Sequence, residues 1–201
     1  MSHEAVDWDR VYRSNYEMLA FCEIHWLAKA RGLYESAKKL EPEVRRMWES
    51  YRAHAANSSP ILQDYYEGPY FMLLAFAVEN LLKAAAVARN SIKYKQSFRA
   101  THKFPKELQS HDLFELATHV GLILQGHDED LLRRLTRSAV WFGRYPAPLR
   151  HSDMAGTVRF ADGNDYSVSW FGANDVEELN ALVLGLPARL GFSNEEWGHA
   201  T

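Results

Sequence analysis

The segment from Arg89 to Lys106 contains the residue types that contact RNA. Its basic residues follow one another without an intervening acid: Arg89, Lys93, Lys95, Arg99, Lys103 and Lys106. Three aromatic residues are interleaved with them: Tyr94, Phe98 and Phe104. Proteins that bind single-stranded RNA use cations for the phosphates and aromatic faces for the bases. The pattern therefore predicts contact with RNA or a nucleotide, and a solvated basic segment is the plainer alternative.

A second group of titratable residues flanks this segment. Glu79 and Lys83 are one helical turn apart, the spacing of an ion pair between neighbouring turns. A semi-buried ion pair is the simpler interpretation, and a place in a functional site is the other. Apart from His119, no ligand recurs at metal-site spacing after His111 and Asp112, so no metal is expected. The chain has no glycine-rich phosphate loop, nucleophile elbow or paired cysteines, and no cofactor is predicted.

Length and composition limit the classes of protein to consider. The chain has 201 residues, of which 47% are hydrophobic, and this favours one folded core over a disordered chain. The formal net charge of −3 argues against a general binder of polyanions. Cys22 is the only cysteine, the first ten residues do not resemble a signal peptide, and the run from Tyr70 to Val78 is about half a membrane span. A cytoplasmic protein without a membrane segment is expected.

The elements that position these residues are predicted to be mainly helices. Four apolar residues recur at seven-residue intervals: Leu19, Trp26, Leu33 and Leu40. They predict one face of a long helix, which Pro42 interrupts and which resumes to about His54, as a bent helix or a pair of helices. The segment from Tyr70 to Arg89 is apolar on nearly every side and predicts the central helix of a bundle.

The second half of the chain shows clearer helix boundaries. Ser110 or Asp112 is expected to cap one helix. Three acidic residues, Asp128 to Asp130, suit the positive end of the next helix, which Gly143 ends. Alternating residues then predict a β-hairpin with strands Thr157 to Phe160 and Tyr166 to Trp170. A final helix is expected to begin at Asn174 or Asp175 and to end near Pro187.

Three short motifs in this order resemble the HEPN domain. They are Glu79-Asn-Leu-Leu-Lys83-Ala on the central helix, His111-Asp112-Leu113 at a helix start, and Arg144-Tyr145-Pro146 after a leucine-rich helix. The resemblance covers Tyr70 to His151 and implies an all-α antiparallel bundle that often dimerises. It also implies RNA cleavage, RNA binding or nucleotide binding. Residues 1–151 are therefore assigned to a HEPN-like bundle with long N-terminal helices, and residues 152–201 to a hairpin and a helix packed on it.

The resemblance also implies a catalytic pair. Catalytic HEPN members carry an arginine and a histidine a few residues apart, and six residues separate Arg144 from His151. Arg144 would hold a phosphate and His151 would transfer protons in a metal-independent cleavage of RNA. Tyr145 stands where catalytic members usually have a polar residue. Pro146 and Pro148 prevent one helical face from presenting both side chains. In a symmetric dimer, two such pairs could form a composite site across the two-fold axis. The plainer alternative is that Arg144 caps or salt-bridges a helix end and that His151 is an exposed loop residue.

The leading interpretation is a HEPN-like RNA-interacting protein, with a metal-independent endoribonuclease of the toxin or defence type as its catalytic form. It is expected to act as a homodimer. Its expected RNA contacts are Lys93, Lys95, Arg99, Lys103 and Tyr145. The alternative is a non-catalytic module that binds a nucleotide or a partner protein such as an antitoxin or a nucleotidyltransferase. A third interpretation is a structural assembly that docks through the Leu19 to Leu40 face. The sequence leaves enzyme and binding module both open.

Overall fold

The structure, a computed structural model, describes residues 6–58, 60, 66–145, 147, 151, 157–159, 163, 165–167 and 171–198. These residues are mostly α-helical, which confirms the predicted mainly helical class. The described α-helices are α1 (Trp8–Ala20), α2 (Glu23–Asn57), α3 (Glu67–Thr101), α4 (Leu113–His119), α5 (Asp128–Arg137), α6 (Asp175–Leu190) and α7 (Asn194–Gly198). A short 3₁₀ turn (Lys106–Leu108) precedes α4, and a π-helical turn (Ser138–Phe142) continues α5.

Helices α2 and α3 form an antiparallel pair at the centre of the fold. Trp26, near the start of α2, lies beside the middle of α3, with its ring centroid 6.0 Å from Nζ of Lys83. Tyr70, at the start of α3, lies beside the second half of α2. Burial raises the pKa of Tyr70, and the nearby charge of Glu41 adds to this effect. The buried face of α2 consists of Leu27, Ala30, Tyr34, Ala37, Glu41, Val44 and Met47.

Helix α3 is buried on nearly every side, as predicted for the central helix. It is also the one described helix that is long and apolar enough to cross a membrane, although 72% of its most apolar window is buried inside the protein. Helices α2, α4, α5 and α6 pack against it. Its apolar surface therefore serves as the contact surface for the surrounding helices.

The predicted seven-residue stripe is divided between two helices. Phe21 and Cys22 separate α1 from α2, so Leu19 belongs to α1 and Trp26 to α2. Leu19 is 54% exposed and does not continue the buried face of α2. The break was missed because Phe21 is itself buried and apolar, so the pattern of hydrophobic residues runs through it. The single face from Leu19 to Leu40 is therefore wrong.

Two prolines lie inside helices that they were expected to interrupt or end. Pro42 is within α2, so the first of the two alternatives, one long helix, is observed. Pro187 is within α6, which continues to Leu190. A proline removes one backbone hydrogen bond, and the packing of both helices against α3 outweighs that loss. Helix α6 ends instead before Gly191, whose φ of 94° is the left-handed conformation common after a helix.

Helix α3 extends beyond the predicted end at Arg89. Asn90 has non-helical torsion angles (φ −131°, ψ 15°) and kinks the helix, which then continues to Thr101. The side-chain amide of Asn90 donates to the carbonyl oxygen of Ala86 at 3.0 Å. Most of the basic segment is therefore helical and continues the central helix.

The predicted starts of α4 and α5 are confirmed. The side chain of Asp112 caps α4 by accepting a hydrogen bond from the backbone N–H of Glu115 at 2.9 Å. Helix α5 begins at Asp128 and has three acidic residues in its first turn, where the helix dipole favours negative charge. The π-helical turn that continues α5 is followed by Gly143, as expected for the end of this helix.

The C-terminal region adds two short strands and a core helix. Strands β1 (Thr157–Arg159) and β2 (Asp165–Ser167) pair antiparallel, with Val158 opposite Tyr166. The other residues of the predicted strands, and the predicted boundary near Ser152, lie outside the described residues. Helix α6 contributes to the same hydrophobic core as α2 and α3 through Val176, Leu179, Leu182, Val183, Leu186 and Leu190.

Candidate nucleic-acid interface

The aromatic residues of the basic segment face the core. Tyr94 is 1% exposed, and its hydroxyl oxygen lies 3.3 Å from Nε2 of His119. The ring of Phe21 lies 5.7 Å from that of Phe98 and 6.2 Å from that of Phe104. Phe98 and Phe104 are partly buried and pack against the core. Tyr94 is therefore a core residue that cannot stack on a base, whereas Phe98 and Phe104 pack against the core and keep part of each side chain accessible.

Part of the positive charge in the segment is used within the fold. The guanidinium of Arg89 donates hydrogen bonds to the carbonyl oxygens of Val120 and Leu190, at the C-terminal ends of α4 and α6. Nζ of Lys93 lies 3.5 Å from a carboxylate oxygen of Glu107, and both side chains are exposed. Arg89 therefore has a structural role, whereas Lys93 is a surface cation with a weak partner.

Helix α1 meets the basic end of α3 through a buried glutamate. Arg99 donates hydrogen bonds to both carboxylate oxygens of Glu17, the shortest being 2.6 Å. These bonds hold the pKa of the Glu17 carboxyl below its ordinary value, and the positive charges of Lys95 and Arg13 contribute to the same effect. The Glu17 carboxylate therefore lies near three cations, Arg99, Lys95 and Arg13, of which Arg13 also forms an ion pair with Asp9.

Tyr16 is an aromatic residue at this cluster that the sequence did not indicate. Its ring stacks on that of Phe98, with centroids 4.8 Å apart and planes inclined by 26°. Tyr16 remains 40% exposed. It comes from α1, far from α3 in sequence, and no local pattern connects the two helices. The structure therefore adds one partly exposed ring beside the cations of the segment.

Three lysines at this end of the molecule form no ion pair among the described residues. Lys95, Lys103 and Lys106 form no ion pair with any residue that the structure describes. Lys103 and Lys106 are exposed and Lys95 is partly exposed. Together with Arg99 and Tyr16 they form what we call the basic surface. It retains three of the predicted RNA contacts: Lys95, Arg99 and Lys103.

The predicted ion pair of Glu79 and Lys83 is confirmed and has a third member. Nζ of Lys83 lies 2.7 Å from Oε1 of Glu79, and the two residues are only 4% and 6% exposed. Nδ1 of His111, at the exposed start of α4, lies 3.0 Å from the other carboxylate oxygen. In the described part of the chain, no group of three or more histidine, cysteine or acidic side chains could hold a metal ion. The cluster is therefore a hydrogen-bonded charge network that joins α3 to α4.

Arg144 and Tyr145 follow the π-helical turn at the opposite end of α3. Gly143 packs so closely on α3 that an added Cβ would lie 2.9 Å from the carbonyl oxygen of Gly68. The guanidinium of Arg144 lies 5.2 Å from the ring centroid of Phe76, within the range of a cation–π contact. Arg144 is exposed, and Tyr145 is 51% exposed. Turns of the π type are frequent at functional sites.

The structure separates the two groups of predicted site residues. Arg144 lies beside Phe76, whereas Lys95 is 19 residues further along α3. At 1.5 Å per residue, the stretch of α3 between the two positions is about 29 Å long. His151 is exposed, and most residues between it and Arg144 lie outside the described residues. The pairing of Arg144 with His151 therefore stays a prediction, and the basic surface is not part of the same pocket.

Comparison with known proteins gives no further assignment. No protein-family model matches this sequence, and no curated protein or solved structure is similar enough to count as a match.

Proposed function

We propose that this protein is a HEPN-like helical bundle that binds single-stranded RNA through its basic surface. The observation that carries the proposal is the group of unpaired lysines at one end of α3, beside Arg99 and the half-exposed ring of Tyr16. Exposed lysines that form no ion pair favour a polyanion because their contacts with phosphates release condensed counterions. A partly exposed ring offers one base-stacking face. The HEPN resemblance supports RNA as the polyanion.

The first test removes the unpaired lysines together. In the Lys95→Ala/Lys103→Ala/Lys106→Ala variant we expect affinity for a single-stranded RNA oligonucleotide to fall at least about tenfold near physiological salt. Each phosphate contact of a single strand contributes about 0.7 to the slope of log affinity against log salt concentration, so the slope should become shallower by about 2. Fluorescence anisotropy with a labelled oligonucleotide at several salt concentrations measures both quantities.

The matched control removes three exposed cations elsewhere. Lys39, Arg46 and Arg52 lie on α2, away from the basic surface, and all three are exposed. Their replacement by alanine lowers the net charge by the same amount, and we expect most of the affinity and the salt slope to remain. If the two triple variants lose the same affinity for RNA, binding depends only on the total charge of the protein, and the proposal of a specific basic surface is wrong.

Cleavage of RNA at Arg144 and His151 is the second candidate function. A specific observation favours it: the π-helical turn and the close packing of Gly143 present Arg144 at the surface, with its guanidinium against Phe76. In this reaction the 2′-hydroxyl of the RNA attacks the adjacent phosphorus and the 5′-oxygen leaves. His151 would transfer a proton, and Arg144 would stabilise the negative charge on the phosphorane. No metal ion is needed for these steps.

Alanine substitutions test this candidate directly. We expect Arg144→Ala and His151→Ala each to reduce the rate of RNA cleavage at least about a hundredfold, while RNA binding at the basic surface is retained. The substrate should be long enough to reach from Lys95 to Arg144, and cleavage is followed by gel electrophoresis in the presence of a chelator. The Arg52→Ala variant, which changes another exposed arginine, should cleave normally.

The outcomes of these tests separate the remaining interpretations. RNA binding without cleavage in the unmodified protein would reject the ribonuclease and retain a non-catalytic HEPN-like binding module. Cleavage that is unchanged in both alanine variants would assign the activity to other residues. If the unmodified protein neither binds nor cleaves RNA, the remaining interpretation is a module that binds a nucleotide or a partner protein, such as an antitoxin or a nucleotidyltransferase. We propose that the protein acts as a homodimer in the cytoplasm.

A further inference from the structure

Helix α1 turns a charged face to the protein and an apolar face to the solvent. Glu17 and Ala20 are its buried residues. The opposite face follows the i, i+3, i+4, i+7 spacing and consists of exposed residues: Trp8, Val11, Tyr12, Asn15, Met18 and Leu19. Trp8 is 59% exposed and Tyr12 is 67% exposed. A contiguous apolar face of this kind on a protein surface marks an interaction site. We call it the outer face of α1.

An open groove lies beside the C-terminal end of the outer face. Its volume is about 710 Å³, and Leu19 lines it together with residues of α2. Trp26 and Leu33 give it apolar walls, whereas His25 and Lys29 add polar and positively charged groups. Because Leu19 belongs to both features, the outer face and the groove form one continuous surface.

One wall of the groove is formed by a glycine that the packing of the fold does not require. Gly32 lines the groove from the interior of α2, and a Cβ added there would meet no atom within 4 Å. Glycine weakens a helix interior relative to alanine because it has more conformational freedom to lose. The fold therefore has room for a larger residue at this position, and the absence of a side chain preserves the space above it.

We infer that a second copy of this chain occupies the groove, with Trp8 of each copy inserted into the groove of the other. Trp8 and Leu19 are eleven residues apart on α1, or about 17 Å along the helix axis. When two α1 helices pack antiparallel, Trp8 of one copy lies beside Leu19 of the other and thus at the mouth of its groove. The same contact then forms twice, which is the condition for a closed two-fold interface.

The distribution of charge supports a second copy as the occupant. Trp8 is flanked by the exposed acids Asp7 and Asp9, of which Asp9 forms an ion pair with Arg13, whereas the cation Lys29 lines the groove. An antiparallel arrangement therefore brings Asp7 of each copy towards Lys29 in the groove of the other copy. This pairing of opposite charges would favour the antiparallel register over the parallel one.

The polar residue in the outer face also fits this arrangement. Asn15 lies among the apolar residues, and in the antiparallel pair it faces Tyr12 of the other copy. A single polar residue in an apolar helix interface specifies register at some cost in stability. An amide and a phenol can satisfy each other there by a hydrogen bond. The proposed interface does not involve the basic surface, so it does not depend on RNA binding.

Sedimentation equilibrium of the full chain tests the interface. We expect a concentration-dependent dimer whose dissociation constant rises at least about tenfold in Leu19→Glu, because each dimer contains the substitution twice. Gly32→Leu should weaken the dimer similarly by filling the groove. Leu184→Glu is the matched control, since Leu184 on α6 is 55% exposed and Leu19 is 54% exposed. The control should dimerise like the unmodified protein.

Each other outcome contradicts the inference. A chain that stays monomeric over the whole concentration range, or Leu19→Glu and Gly32→Leu variants that dimerise normally, would exclude this interface. Circular dichroism checks that each variant is folded; if Leu19→Glu is not, Gly32→Leu decides, since nothing lies within 4 Å of its added Cβ. Binding of a monomeric chain to vesicles of phosphatidylcholine and phosphatidylserine, abolished by Leu19→Glu, would assign the outer face to a membrane surface instead.

Discussion

The Lys83→Met variant is expected to lose about 3–5 kcal/mol of its free energy of unfolding. Lys83 is 4% exposed, and its ammonium group is the cation that Glu79 meets inside the protein. Removing it leaves a carboxylate that is 6% exposed, with the exposed His111 as its remaining charged or polar partner within the cluster. A buried charge without compensation costs more than the pair itself contributes. Urea unfolding monitored by circular dichroism measures the change.

Two control variants define the cause of this loss. Replacing both members, in Glu79→Leu/Lys83→Met, removes the isolated charge, and we expect much of the stability to return. Lys38→Met tests the ordinary effect of the same substitution, because Lys38 is partly exposed and its partner Glu41 keeps a second cation, Arg45. Its expected change is below about 1 kcal/mol. If the single and double changes at the buried pair are equally destabilising, lost packing rather than an uncompensated charge is responsible.

The Gly143→Ala variant is expected to be destabilised by about 3 kcal/mol. An added Cβ would lie 2.9 Å from the carbonyl oxygen of Gly68 and closer still to Cβ of Met72. Neither group is the flexible end of a side chain, so the π-helical turn must move away from α3. The φ of Gly143 is −79°, which any residue adopts, and the expected effect is therefore steric. Displacement of the turn would also shift Arg144 from its position over Phe76.

Gly185→Ala is the matched control for this substitution. Gly185 lies within α6, and a Cβ there would meet no atom within 4 Å. We expect this change to stabilise the protein by up to about 1 kcal/mol, as alanine is the better helix former. The two variants are compared by thermal and urea unfolding. A Gly143→Ala protein as stable as the unmodified chain would show that the π-helical turn is not held as tightly on α3 as the structure indicates.

Local signals in the sequence predicted the features that depend on neighbouring residues. The capping of α4 by Asp112 involves groups three residues apart, and the acidic first turn of α5 reflects a dipole that any helix has. The ion pair of Glu79 and Lys83 follows from helical spacing alone. In each case one element contains all the interacting groups, so no knowledge of the tertiary fold was needed.

Features that depend on packing between helices could not be predicted in this way. Tyr94 and Phe98 are four residues apart, which describes a core stripe as well as an exposed base-stacking surface. Only the position of Phe21, on a different element, shows that these rings face inward. Tyr16 reaches the basic surface for the same reason, by the packing of α1 on α3. The sequence therefore indicated where cations gather, but it showed neither that Tyr94 is buried nor that Tyr16 lies beside them.

The hydrogen bonds of Arg89 within the fold reduce the number of cations in the basic segment that are available to a ligand. The guanidinium of Arg89 lies where α4 and α6 both end, and helix C-termini carry partial negative charge. Two converging helix dipoles thus offset the charge of Arg89 within the fold. The cations of the segment that are available to an approaching polyanion therefore lie beyond the kink at Asn90, on the last three turns of α3 and in the residues that follow them.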